Sequence, residues 1–388
     1  TKIFITCGEH DLSENVVHLV LARTPNAPEG IKGISLFLVP KILPHKDGTL
    51  DSPNNVKCGS IEKKMGIKAS PTCVMHYEDA KGWLVGDLNK GMKAMFIMMN
   101  GARLFVGIQG IGLSETAFQS SLHYAKERVQ GKLPESKNIA DPIIVHPEIR
   151  KNLMFMKSMN DGIRGLMLKA GHAFDLIDTH QNKELSESSE NLIALLTPIL
   201  KSFATDKSLE ITNQALQIYG GHGYITDHGM EQLVRDARIT TIYEGTNGIQ
   251  ALDLIGRKFN IHDGLIINQY LDNINRYLDK HKDNSKMEKY IKLFEPSYNH
   301  LRDCIDFIKR TEVTNSQEIN SHAVDFLKIF ALVAVGFTWL EFISISLNKI
   351  ENKEDDFYFS KIQLGDFYLT KVIFETQKFK NNIYSSGI

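Results

Sequence analysis

The sequence has little net charge, few cysteines and no apolar run long enough for a bilayer. Its 388 residues carry 45 Lys and Arg against 46 Asp and Glu, a formal charge of −1, so no global field draws nucleic acid or an anionic membrane surface. Any phosphate must be recognised locally. Four cysteines, Cys7, Cys58, Cys73 and Cys304, are scattered without CxxC spacing, which excludes a disulfide framework and suits structural or inert thiols in a reducing compartment. No HxxxH or His/Cys/carboxylate spacing suggests a metal. Ile329 to Leu340 is nearly all apolar, yet it stops at Glu341, short of the roughly 20 residues a transmembrane helix needs. It reads as a buried helix, with no transmembrane span expected. Repeats and low-complexity linkers are also missing, and the lysine- and acid-rich pieces at 279–289 and 349–356 read as solvated loops. Thr1 opens directly on KIFIT, with no initiator Met, signal peptide or polar lead-in, so the chain is expected to be N-terminally truncated.

A hydrophobic content of 42% over this length supports two or three domains with their own cores. β-branched runs at Lys2 to Thr6, Val16 to Arg23, Gly33 to Pro40 and near Cys73 to Tyr77 are separated by turn-rich pieces such as TPNAPEG and HKDGT, and predict antiparallel strands ending near residue 90. From Ile149, the positions Leu153, Met156, Ile163, Met167, Ala170, Phe174 and Ile177 step by three, four or seven, with Asn160 a polar intruder on the stripe. That is the period of a long bundle helix. Leu192, Leu195, Leu196, Ile199 and Phe203 begin another, with a local kink expected at Pro198. With Met95 to Arg128 and Thr246 to Phe259 they predict a four-helix bundle. Met92, Met95, Met98 and Met99 read as core filler.

The chemistry concentrates between Gln217 and Gln250. Gln217, Ile218, Tyr219, Gly220, Gly221, His222, Gly223 and Tyr224 follow an apolar helix, and three glycines in four positions let backbone approach an anion closely. Glu244 then stands at the end of an Ile/Thr-rich run, before Gly245, Thr246 and Asn247 as turn and N-cap. Taken alone, Glu244 is an ordinary acid near a helix start, favoured there by the helix dipole.

QxxGGxGY, then RDAR and IYEGT about twenty residues on, resembles the C-terminal half of flavin-dependent acyl-CoA dehydrogenases. The resemblance extends to Thr1–Pro40, similar to that family's middle β domain, and to GAR and YAKER within Gly101–Lys132, similar to the first bundle helix. The tail after Arg257 resembles the subgroup with an additional helical domain, which includes broad-range acyl-CoA and 3-methylmercaptopropionyl-CoA dehydrogenases. The implied fold is mainly α with an N-terminal antiparallel β domain: part of the middle β domain at 1–90, the four-helix bundle at 91–260 and an extra α-helical domain at 261–388.

The resemblance implies FAD-dependent α,β-dehydrogenation of an acyl-CoA thioester, with Glu244 as the base for the α-proton, hydride passing to the flavin, and electrons leaving to an electron-transferring flavoprotein. An acyl-CoA oxidase with the same base, or a noncatalytic helical scaffold, are the alternatives. Gln217, Gly220 and Gly221 match positions that reach FAD on a neighbouring subunit, so a homodimer or dimer of dimers is implied. Arg128 matches the phosphate-contacting arginine of ERxxFG, a role suited to guanidinium, although Glu127–Gly131 lacks that motif's phenylalanine. Thr246 matches an FAD-contacting threonine, whereas the family's following glutamine is Gly248 here. Phe4, Ile5 and Thr6 match a segment whose aromatic covers the flavin and whose threonine reaches N5. Arg103, Tyr243 and Gly245 match substrate-side positions. Gly101 and Ala102 stand where some members carry an alternative base. The implied location is the cytoplasm in a bacterial source or the mitochondrial matrix in a eukaryotic one.

Overall fold

β-branched residues that alternate between a covered and an exposed face form the first third of the molecule. The computed structural model describes residues 1–179, 181–312, 316–350 and 355–385. It divides into two compact units, Thr1–Ala102 and Arg103–Ile388. In the first, β1 (Lys2–Thr6), β2 (Val17–Arg23), β3 (Ile34–Pro40), β4 (Ile42–Pro44), β5 (Leu50–Pro53), β6 (Val56–Ile61), β7 (Thr72–Tyr77) and β8 (Trp83–Val85) make three antiparallel sheets, ordered β1-β7-β6, β2-β3-β8 and β4-β5. The four expected strands are present. β4, β5, β6 and β8 are additional, and their shortness or weak alternation left no clear pattern in sequence. Val20, Val39, Val56, Cys73 and Met75 form this unit's small core.

Phe4 departs from strand geometry. It sits in a register shift between Lys2 and Ile5 with φ 57, a left-handed conformation uncommon for a bulky residue, and its ring is exposed.

The second unit is helical. α1 (Gly91–Glu127) begins in the first unit. α2 (Pro147–Thr179) and α3 (Lys183–Tyr219) follow, then α4 (Met230–Thr240) and α5 (Asn247–Leu252), which continues as π-helical turns over Asp253–Lys258. Asn182 caps α3 by accepting from the backbone N–H groups of Glu184 and Leu185. α3 runs on through Pro198. The polar intruder Asn160 is buried and donates to Glu115 on α1 at 3.3 Å, which satisfies it inside the bundle.

The remaining helices are α6 (Leu265–His281), α7 (Ser285–Glu312), α8 (Ser316–Ser321), α9 (Ala323–Ile350), α10 (Asp356–Phe367) and α11 (Glu375–Tyr384). One hydrophobic core runs from Leu104 to Ile383. The apolar stretch 329–340 lies inside α9, which extends to 28 residues, longer than the run alone indicated. By length and composition α9 and α1 could each cross a membrane, but 83% of the most apolar window of α9 is buried in the protein. α9 therefore fills the core. It lies close to α2 at two glycines: a Cβ on Gly162 would meet Trp339 Nε1 at 2.6 Å, and one on Gly165 would meet Phe342 Cζ at 2.4 Å. Trp339 donates to Ser158 O at 3.2 Å across the same contact.

Candidate active site

Two features of the second unit gather most of the candidate residues. The first is the loop between α4 and α5. Glu244 has φ 55 and Gly245 φ 86, two successive left-handed residues of which only glycine adopts that conformation freely. A Cβ on Gly245 would stand 2.7 Å from Gln250 Nε2, so this glycine is required by space as well as by φ.

The turn is held by its carbonyls. Arg103 Nε donates to Glu244 O at 3.3 Å. Gln250, fully buried, donates to Glu244 O at 3.3 Å and to Gly245 O at 3.4 Å. Lys201 Nζ donates to Gly245 O at 2.8 Å and to Asn247 Oδ1 at 2.9 Å. Asn247 donates in turn to Asp206 Oδ1 at 2.7 Å. Arg103 is buried and also pairs with Asp253 at 3.6 Å. Tyr243 donates its hydroxyl to Gln109, and burial pushes its pKa up. Thr246 caps α5, its Oγ1 accepting from Ile249 N–H at 3.4 Å.

Lys201 and Asp206 are both out of their ordinary range. Burial brings Lys201 down to about 8; Asp206 and Glu244 pull it back up, while Arg103 adds to the fall. Burial raises Asp206, against the hydrogen bond from Asn247 and the nearby Lys328, Lys207 and Lys201.

The second feature is a cavity of about 790 Å³ lined by Arg128, Gln217, Gly220 and Gly221, together with Tyr124, His146 and others. Four of the candidate cofactor residues, separated by up to 93 positions in sequence, thus share one wall. Gly220 has φ 59, and a Cβ on either Gly220 or Gly221 would meet nothing within 4 Å: this backbone is open to whatever enters. Below it, Tyr124 stacks on Tyr219 with ring centroids 4.1 Å apart, and its hydroxyl bonds His222 Nδ1 at 2.8 Å. Phe4, Ile5 and Thr6 lie on β1 in the first unit, with Phe4 and Thr6 exposed and Ile5 against the sheet core.

Residues 89–259 match the model described as "Acyl-CoA dehydrogenase, C-terminal domain", and residues 270–386 match "Acetyl-CoA dehydrogenase C-terminal like". A 3-methylmercaptopropionyl-CoA dehydrogenase from Ruegeria pomeroyi is 37% identical over 390 residues, covering 100% of this chain and 66% of the relative. The chain belongs to the acyl-CoA dehydrogenase family. It spans about two thirds of the length of the curated relatives it matches.

Two solved structures share the fold of this chain. Caenorhabditis elegans ACDH-11 in complex with C11-CoA has a TM-score of 0.75 at 21% identity, covering 92% of this chain and 56% of its own. An acyl-CoA dehydrogenase complexed with FAD from Bacillus anthracis has a TM-score of 0.73 at 20% identity, covering 95% and 60%. The acyl-CoA dehydrogenase fold, mainly helical behind an N-terminal antiparallel region, is therefore as expected.

Sequence reasoning missed Lys201, Asp206, Gln250 and Asp253 around the turn, and Tyr124 and His146 in the cavity; it placed Asn247 in the turn but not among the partners of Lys201 and Asp206. One signal was available for the first group: Lys201 interrupts the apolar stretch LIALLTPIL and SFA, where a lysine must find partners or stay out of the core. For His146 no pattern existed, because only folding sets it beside Gln130, whose carbonyl its Nε2 meets at 2.9 Å.

Proposed function

We propose that the protein dehydrogenates an acyl-CoA thioester between Cα and Cβ to the trans-2-enoyl-CoA, with Glu244 as the base. The observation that carries this reading is the Glu244–Gly245 turn, whose left-handed backbone is pinned at both carbonyls. Strain of this kind persists where the surroundings over-determine it, and it clusters at reacting centres. A carboxylate on such a turn is positioned before substrate arrives. The Glu244 N–H is the proposed donor to the thioester carbonyl, a bond that strengthens as enolate charge develops. An apolar acyl chain closing over the carboxylate removes its water and makes it a stronger base. Arg103 and Tyr243 are at substrate-side positions: Arg103 braces the turn from α1, and Tyr243, in the loop itself, is tied to α1 through Gln109.

The cavity suits a dinucleotide. An arginine, a glutamine and two open glycines offer a guanidinium fork and unobstructed backbone to phosphate. FAD, when bound, supplies the hydride acceptor. Arg128, Gln217, Gly220 and Gly221 would hold its diphosphate end, contributed to a neighbouring copy in a homodimer or dimer of dimers. Thr246 would contact FAD; in the first unit, Phe4, Ile5 and Thr6 are the proposed flavin contacts, with the exposed Phe4 ring as its cover. Acyl-CoA as substrate, an electron-transferring flavoprotein as electron acceptor, and a cytoplasmic or matrix location belong to the same proposal. So does the division at 1–90, 91–260 and 261–388, which the extents of the two family models support.

The test is anaerobic titration of the complete, FAD-loaded protein with saturated acyl-CoAs of several lengths and with 3-methylthiopropanoyl-CoA, followed by flavin absorbance. Bleaching by one class is expected. Glu244→Gln should keep FAD and bind thioester yet reduce at least about 10²-fold more slowly, the scale of a general base. Undiminished reduction in that variant removes Glu244 from the role.

A further inference from the structure

Lys201 has no part in the reading above beyond touching the turn, yet it is fully buried. Its ammonium hydrogen-bonds neutral oxygens, Gly245 O at 2.8 Å and Asn247 Oδ1 at 2.9 Å. Leaving a charge at that depth is expensive unless each donor is satisfied and a counter-charge lies within reach. The counter-charge is relayed. Asn247 accepts from Lys201 on its carbonyl oxygen and donates through its amide nitrogen to Asp206 Oδ1 at 2.7 Å, to Thr205 Oγ1 at 3.0 Å and to Ser202 O at 3.2 Å. Lys201, Ser202, Thr205 and Asp206 are i, i+1, i+4 and i+5 on α3, so one face of a 37-residue helix grips the residue that opens α5.

The geometry of that grip bears on catalysis. Glu244 O is held by Arg103 and Gln250, and the next carbonyl, Gly245 O, is held by Gln250 and by Lys201, whose 2.8 Å is the shortest hydrogen bond to either carbonyl, against 3.3 and 3.4 Å for the others. Releasing Gly245 O would free the peptide between Gly245 and Thr246, the exit of the turn that holds Glu244 at φ 55 and Gly245 at φ 86. We propose that Lys201 is a positioning residue for the reacting carboxylate: coupled through Asn247 to Asp206, it clamps the Gly245 carbonyl and fixes the turn that aims Glu244. This rests on Glu244 being the base. Arg103 with its partner Asp253, and Lys207 and Lys328 near Asp206, are further charges around the clamp.

The experiment is stopped-flow flavin reduction in the complete, FAD-loaded protein, comparing wild type, Lys201→Met and Glu244→Gln with a saturated acyl-CoA that bleaches the wild-type flavin. Methionine fills the same volume without a donor. The expected result is a split: FAD content and thioester Kd within about threefold of wild type, and a reduction rate constant lower by about 10- to 100-fold, the effect of displacing a reacting group by a fraction of an ångström to one ångström. A lysine that only supports the fold would lower flavin content or melting temperature and leave the rate per loaded site untouched. A flavin-loaded Lys201→Met reducing at the wild-type rate, while Glu244→Gln does not reduce, overturns the clamp alone. Wild-type reduction by Glu244→Gln defeats the base assignment and the clamp with it. Should the methionine variant fail to retain FAD, Asn247→Ser carries the test, since it breaks the relay and leaves the lysine in place. Its rate is expected to fall about 3- to 10-fold at unchanged thioester Kd, and a wild-type rate there overturns the proposal.

Discussion

Adding one methyl group at Gly245 separates the geometry of the turn from its chemistry. Gly245→Ala places a Cβ 2.7 Å from Gln250 Nε2, inside contact distance, at a φ of 86 where an L-residue loses about 1–2 kcal/mol. Gln250 is fully buried and must move, giving up its hydrogen bonds to Glu244 O and Gly245 O, each with a net value of about 1 kcal/mol. The sum is a destabilisation of about 3–4 kcal/mol, read as a drop in the denaturant midpoint at unchanged m-value. Three residues along, Gly248 is the internal control. A Cβ there meets only Thr246 Oγ1 at 4.0 Å, on α5, so Gly248→Ala should be neutral or stabilising by up to about 1 kcal/mol from helix propensity. Opposite signs for two Gly→Ala changes three residues apart are the expected outcome. A Gly245→Ala protein within about 0.5 kcal/mol of wild type would refute the view that this turn is sterically and conformationally locked.

At Gly221 the prediction is the reverse, unchanged stability with lost ligand. Its Cβ position is open space on the cavity wall, so Gly221→Val should melt within a degree or two of the apo wild type yet bind FAD about tenfold or more weakly by fluorescence titration, a loss of about 1.4 kcal/mol; normal affinity would defeat the phosphate-cradle reading. At the contact between α2 and α9, Gly165→Ala drives a methyl to 2.4 Å from Phe342 and 2.8 Å from Thr338 Cγ2, and overpacking should cost about 1–3 kcal/mol, whereas Gly171→Ala on the same helix, with nothing within 4 Å, should cost nothing measurable in the same assay.

The sequence by itself determined the family and the local elements that depend on near neighbours. The period of Leu153 to Ile177 specified α2 because side chains three and four apart share a helix face whatever else surrounds them. The four strands with clean β-branched runs were legible for the same reason. Glycine at 220 and 245 announced left-handed backbone that other residues follow only with strain. The short strands β4, β5, β6 and β8 were not legible, because what selects them is pairing with segments distant in the chain. Nor was the length of α9, whose ends lie beyond the apolar run, or its place in the core, which depends on glycines of α2 admitting it closely. Only the tertiary structure decided how Glu244 is held. Arg103, Lys201 and Gln250 reach two adjacent carbonyls from three different helices, and a hydrogen bond spanning 44 or 141 residues leaves no trace in local spacing. It exists only once the bundle has closed.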